Sequence, residues 1–352
     1  MFYGTDFKGP IVIHDPNDPN KDMYDYEYVM TVADWYHKPT GDPSMLPTLR
    51  SENYFGFDPI PDSADISGVG QYKCTFPTCI PRKFATYKVK KGKRYRFRII
   101  NMSTMSHFWV SIDEHPLTIV EIDGVPTHPA TIKMLPINIA QRYSVIVEAN
   151  KEIGNYWIRT HLSNCSLPVN NVTINADSPI FSNNNITGIL RYDDAPFTIP
   201  TSEEYHVNEF NCYDVASSLL KPYQEYPRVP QGENIRRIYI EVAIQRLNLV
   251  IDATMNNSSY VPDFTYPTNQ RVIDGADFVT SDNVYSYNKL NEPIEILLNN
   301  TENRTHPFHL HGHVFWIIAR GEAGSYNQPL SSLKYNFDDP PLRDTATVKE
   351  LG

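Results

Sequence analysis

Four histidines fall within eight residues, His306, His309, His311 and His313, in the run HPFHLHGH. Neutral imidazole is the commonest metal ligand in proteins and suits copper, zinc, iron and nickel, so this density points to metal chemistry. In an extended segment side chains alternate between faces. His309, His311 and His313 then share one face and His306 takes the other, with Pro307 breaking the ladder between them. Such a segment can serve two separate metal centres. A structural zinc site fits poorly, because those sites use paired Cys/His spacings and none occurs here. The other seven histidines, His14, His37, His107, His115, His128, His161 and His206, are scattered and read as ordinary surface or core residues.

The elements that must position these residues are strands. Runs rich in Val, Ile, Tyr and Thr recur at 10–14, 28–35, 93–100, 143–148, 156–159, 186–192, 238–242 and 293–298, separated by Gly, Pro, Asn and Asp clusters. Long helical periodicity is absent. The expected fold class is all-β, built of sandwiches. The stretch 193–213 is polar and Pro-bearing, and reads as a linker between two units.

An internal repeat supports two tandem units. Lys93–Gly124 holds an apolar strand ending in Asn101, then His107, His115, an apolar run and a closing Gly. Pro293–Gly321 holds a strand ending in Asn300, then His306, His313, an apolar run and a closing Gly. His follows Asn by six residues in both copies, and one gap aligns His313 with His115. His309 and His311 have no His counterpart in the first copy, which marks them as chemistry added to the second.

Composition narrows the partners. The net charge is −10 and there is no Lys/Arg cluster, which argues against nucleic acid or an anionic membrane surface. No apolar run approaches the roughly 20 residues of a bilayer span. Asn-x-Ser/Thr sequons begin at Asn101, Asn164, Asn171, Asn185, Asn256, Asn257, Asn299 and Asn303, a density that points to a secreted glycoprotein. The opening residues hold no signal-peptide h-region, so the expectation is that the natural N-terminus is missing. Of the four cysteines, Cys74 and Cys79 could close a short loop, while Cys165 and Cys212 leave the connectivity open.

HPFHLHGHVF resembles the first of the two C-terminal copper motifs of multicopper oxidases. GPIVIHDPNDP (9–19), ADWYH (33–37), KRYRFRIIN (93–101), IDEHPLTIVEIDGV (112–125), AQRYSVIVEAN (140–150), GNYWIRT (154–160), TGILRYDDAP (187–196) and LRDTATV (342–348) resemble fungal laccases and the related iron-oxidising enzymes, in the family's order. The resemblance implies tandem cupredoxin-like Greek-key β-sandwich domains: the end of a mostly missing first domain at 1–20, a second at 24–195 and an incomplete third at 205–352. It implies copper as cofactor, with His306 a ligand of the type 1 copper, His309 of the type 2 copper and His311 of the type 3 pair. His313 is not a ligand in that pattern. It further implies dioxygen as acceptor, reduced to water at the trinuclear cluster.

The family's HxHG and HxH motifs would precede residue 1, and its His-Cys-His motif would follow Val348. None of the cysteines here neighbours a His, so none supplies the type 1 thiolate. The expectation is a truncated chain, inactive alone, of a laccase-like parent; a degenerate non-catalytic cupredoxin-repeat protein is the alternative. On the substrate side, laccases read I-D-G-H where this chain reads Ile112-Asp113-Glu114-His115, which makes Asp113 the matching substrate-binding carboxylate. Iron oxidases place a carboxylate four residues before the type 1 His, the position of Glu302. Their further carboxylate would fall near Gln245 and is not kept. Phenolic donors are therefore expected over ferrous iron, with a ferroxidase as the other reading.

Overall fold

The computed structural model describes residues 9–37, 61–70, 84–163, 185–206, 211–223, 227–232, 235–247, 250–285 and 289–352. Cys74, Cys79, Cys165, Asn164 and Asn171 lie outside them. Twelve strands build the first unit: β1 (Tyr26–Trp35), β2 (Ser63–Ile66), β3 (Val69–Gly70), β4 (Ala85–Val89), β5 (Arg94–Asn101), β6 (Phe108–Ile112), β7 (Leu117–Ile122), β8 (Val125–Ile132), β9 (Met134–Ile137), β10 (Arg142–Glu148), β11 (Asn155–Leu162) and β12 (Asn185–Tyr192). They form a seven-stranded sheet, β3-β2-β1-β5-β10-β7-β8, and a five-stranded sheet, β4-β12-β11-β6-β9.

Alternation explains the packing. Along β4 the residues run buried, exposed, buried, exposed, buried, as period-2 geometry requires when one face meets a core. Phe97, Ile99, Phe108, Val110, Ile119 and Tyr143 interdigitate between the two sheets with no appreciable exposure. Burial of that apolar surface is the main force holding a sandwich closed.

The second unit contains β13 (Arg236–Leu247), β14 (Val250–Met255), β15 (Ile294–Asn300), β16 (His306–His309), β17 (Phe315–Trp316), β18 (Leu342–Arg343) and β19 (Thr345–Val348). β14-β13-β15 make one sheet, and β16-β19 and β17-β18 pair two by two. A short helix, Thr268–Asp274, ends on Gly275 in the left-handed region. Tyr239, Ile244, Ile294 and Ile296 on the three-stranded sheet are exposed. No helix of the described residues is long and apolar enough to cross a membrane.

The two copies of the repeat share one joint. In the first, β5 runs parallel to β1 and places Asn101 beside Val32; in the second, β15 runs parallel to β13 and places Asn300 beside Val242. Met102 N–H donates to the Val32 carbonyl, as Thr301 N–H does to Val242. Asn101 Oδ1 accepts the Ser103 N–H, and its Nδ2 donates to the Ser106 and Ile137 carbonyls. Asn300 Oδ1 accepts the Glu302 N–H, and its Nδ2 donates to the Arg304 and Lys349 carbonyls. Each buried amide thus ends a strand, starts the following loop and ties that loop to the next strand pair.

The run 10–14 is not a strand. No neighbouring strand pairs with it among the described residues, and Ile11 and Ile13 are exposed. The segment is instead fastened by polar groups beyond it. Arg96, fully buried on β5, reaches Asp18 at 2.5 Å and Glu121 at 2.8 Å, and Asn20 Nδ2 donates to the Val120 carbonyl.

Candidate functional site

His306 and His309 lie on β16, opposite Val348 and Thr345 of β19. The alternation expected for His309, His311 and His313 does not hold. The strand stops at His309, and the chain turns at His311–Gly312, with Gly312 at φ 72°, a conformation suited to a residue without a Cβ. The turn still brings His309 and His311 together, ring centroids 4.9 Å apart. His313 Nδ1 lies 3.1 Å from the His311 carbonyl, as His115 Nδ1 lies 2.8 Å from that of Asp113, so the repeat alignment of these two histidines survives in their local contacts.

His309 is oriented. Its Nδ1 sits 2.9 Å from the Asp344 carbonyl and 3.0 Å from Thr345 Oγ1. Donation of Nδ1–H to that carbonyl leaves Nε2 as the lone-pair nitrogen, the usual arrangement of a metal-ligating imidazole. Asp344 is itself held by Arg142 of β10 through two bonds of 2.7 and 2.6 Å. Burial alone would raise the Asp344 carboxyl, but the Arg142 hydrogen bond and charge outweigh it and hold it below its usual value.

The same segment is pinned to the first sandwich by a buried polar network. Arg343 and Asp123, neither exposed to solvent, pair at 2.8 Å, and Arg343 also donates to Tyr143 Oη. The Thr345 N–H donates to Asp123. Asp214 accepts from Arg320 at 2.8 Å, from Gln141 at 2.6 Å, and from the Thr347 N–H and hydroxyl. Burial would raise the Asp214 carboxyl, yet Arg320, Arg343 and the Thr347 bonds together hold it well below the usual carboxylate range. Burial pushes the Tyr143 hydroxyl up to about 12.

Imidazole suits copper, and the freed Nε2 of His309 fits a metal donor. No three His, Cys, Asp or Glu side chains converge on one metal position among the described residues. Cys212, the one described cysteine, is disulfide-bonded and offers no thiolate. The three histidines therefore fit as single donors and do not make up a complete centre.

Asp113 closes β6 immediately before a turn at Glu114, whose φ is 62°. It is not a solvated loop charge: its side chain is fully buried. Arg159 grips both carboxylate oxygens at 2.8 Å, and the Ser202 hydroxyl donates to Oδ2 at 2.7 Å. Arg159 also faces Glu204 at 3.8 Å, and Glu204 contacts His161 Nε2. Glu302 lies apart from this cluster in contacts, in the loop between β15 and β16; one carboxylate oxygen accepts the Ile244 N–H at 2.7 Å. Sequence reasoning missed Arg159, Ser202, Arg142, Asp344 and Arg343. Arg159 and the LRDTATV run stood inside stretches that carried the resemblance, but their partners lie 46 to 220 residues away and leave no local signal.

Two family models described as multicopper oxidase match residues 26–195 and 247–352. Laccase-4 of Thanatephorus cucumeris is 33% identical over 366 residues, covering 99% of this chain and 62% of that protein. A laccase of Trametes hirsuta is 32% identical, covering 98% and 60%. The crystal structure of the laccase from Botrytis aclada matches with a TM-score of 0.80 at 29% identity, covering 94% of this chain and 58% of that one. That of Fet3p, described as a multicopper oxidase that functions in iron import, matches with a TM-score of 0.75 at 26% identity, covering 97% and 61%. The chain spans about three fifths of the length of the curated relatives it matches.

Proposed function

Because the chain belongs to the multicopper oxidase family, we propose that the whole protein is a laccase-type oxidase, taking single electrons from phenolic donors and passing them to dioxygen. Copper, the cofactor of this family, supplies the electron acceptor and the site of dioxygen reduction when bound. His306, His309 and His311 are the residues of this chain that serve it, one donor to each type of centre. The observation that carries this reading is His309, whose Nδ1 is fixed by the Asp344 carbonyl so that Nε2 is presented as a donor beside the His311 ring. We divide the chain into the end of one cupredoxin-like domain (1–20), a second (24–195) and part of a third (205–352).

Asp113 is the proposed substrate carboxylate. A phenol becomes a strong acid as it loses an electron, and a carboxylate within hydrogen-bond reach orients its hydroxyl and accepts the proton. The Ser202 hydroxyl, donating to Asp113 Oδ2 at 2.7 Å, marks the place a phenol hydroxyl would take, since both donate an O–H to the same oxygen. Arg159 holds the carboxylate in place through two hydrogen bonds. Access then requires that Ser202, in the linker after β12, give way. Ferrous iron is the second reading, and Glu302 is its candidate binding group. The sequon density supports a secreted glycoprotein.

The test is oxygen uptake by the copper-loaded protein from its native source, with 2,6-dimethoxyphenol and with Fe(II). Asp113→Ala should raise KM for the phenol and shift its pH profile while leaving the visible copper spectrum unchanged; Ser202→Ala should lower that KM. Glu302→Ala should affect Fe(II) oxidation alone. Unchanged phenol kinetics in Asp113→Ala would remove Asp113 from the substrate site.

A further inference from the structure

The sequons are the one motif of the sequence that the oxidase chemistry does not use. N-linked glycosylation replaces a hydrogen on the Asn Nδ2 with a sugar too bulky for a protein interior, so the glycan needs an exposed Asn with that hydrogen to spare. The fold sorts the sequons on this criterion. Asn101 is buried, and its Nδ2 donates both hydrogens, to the Ser106 carbonyl at 2.8 Å and the Ile137 carbonyl at 3.0 Å. A sugar there would break the joint at the end of β5. Asn256 is exposed at its edge, but its Nδ2 donates to the Tyr239 carbonyl at 2.9 Å and to Tyr285 Oη at 2.7 Å, and its Oδ1 accepts the Glu241 N–H. Asn257, next to it, holds a left-handed turn at φ 63°. Asn299 is half-buried within β15, and the Thr301 hydroxyl that completes its sequon donates to the Val242 carbonyl.

Asn303 differs from the buried Asn101, the doubly bonded Asn256 and the half-buried Asn299. It is exposed, it stands at the bend of the loop joining β15 to β16, and the latch amide of Asn300 anchors that loop through the neighbouring Glu302 N–H and Arg304 carbonyl, leaving residue 303 at its outer turn. We propose that Asn303 carries an N-linked glycan, with Thr305 as its sequon hydroxyl. The inference rests on the reading of the protein as secreted. The sugar stands three residues before His306, at the entry to the donor-bearing segment.

The experiment is glycopeptide mapping of the chain secreted from a eukaryotic host, using enzymatic deglycosylation in 18O water to label each occupied Asn. The expected result is label at Asn303, none at Asn101 or Asn256, and one glycan step in gel mobility lost equally in Asn303→Gln and Thr305→Ala. An unlabelled Asn303 alongside occupied sequons elsewhere would overturn this assignment and leave the secreted reading standing. Label at Asn101 or Asn256 in the folded protein would overturn the sorting itself. Native protein bearing no glycan anywhere would overturn both the assignment and the secreted reading.

Discussion

The two copies of the repeat use one joint and place opposite chemistry after it. Downstream of Asn101 the chain dives inward: His107 is buried against Ser163 at 2.6 Å, and burial lowers its pKa to about 4. Downstream of Asn300 the chain stays at the surface, and the Nδ1 of His309 is pinned by the Asp344 carbonyl. Burial withdraws an imidazole from proton chemistry, whereas a hydrogen bond to one ring nitrogen at the surface fixes the ring without burying it. His107 aligns with His306, which is half-buried, whereas His309 and His311 have no counterpart in the first copy and stand where the second copy stays at the surface.

The largest effect should come from cutting the network that joins the copies. Asp123→Ala leaves the Arg343 guanidinium buried without its carboxylate, which should cost about 3–5 kcal/mol. Urea unfolding should show it, with faster protease cleavage between residues 205 and 352 than in the first sandwich. An unchanged midpoint would mean that the two copies are not coupled through this pair.

Next is the acid response of the buried copy. The unfolded chain binds a proton on His107 below pH 6.5, while the folded chain refuses it until about pH 4. The unfolded state therefore gains as pH falls through that window, and stability should drop by up to about 3 kcal/mol. His107→Gln should remove much of that slope, measured as unfolding free energy at successive pH values. An equally steep profile in the variant would assign the response elsewhere.

Arg142→Ala should do less to stability, about 1 kcal/mol or below, because Arg142 is partly exposed. It should instead loosen Asp344 and lower Cu(II) affinity at His309 by roughly tenfold, read by calorimetric titration. Parent-like affinity would show that Arg142 does not position that ligand. The smallest expected effect is none: Cu(II) added to this 352-residue chain should raise no intense blue band, because no cysteine neighbours a His. Such a band would break the contrast drawn between single donors and a complete centre.

Much of this was legible in the residues. The strand runs from Tyr28 to Leu298 correspond to β1, β5, β10, β11, β12, β13 and β15, because alternation against a core is a local signal. The Asn-to-His spacing marks the joint without any knowledge of its hydrogen bonds. The exceptions have physical causes. Residues 10–14 have strand propensity, but a strand needs a neighbour. The parity of His311 and His313 failed because Gly312 permits a turn that an alternating pattern does not show. Asp113 carried no sign of its burial, since the Arg159 fork that permits it comes from the neighbouring strand β11, 46 residues on. The Arg343–Asp123 pair, 220 positions apart, has no sequence signature at all.

The carboxylates of that network also settle the fate of an edge. β19 pairs with β16 on one side. On its other side the N–H groups of Thr345 and Thr347 would form the open row that a foreign strand recognises. Asp123 and Asp214 accept those hydrogens instead. A carboxylate takes an N–H but offers none in return, and its charge repels an incoming carbonyl. With those bonds in place, residues 345–348 cannot template the growth of an intermolecular sheet, even in a unit whose Ile294 and Ile296 face water.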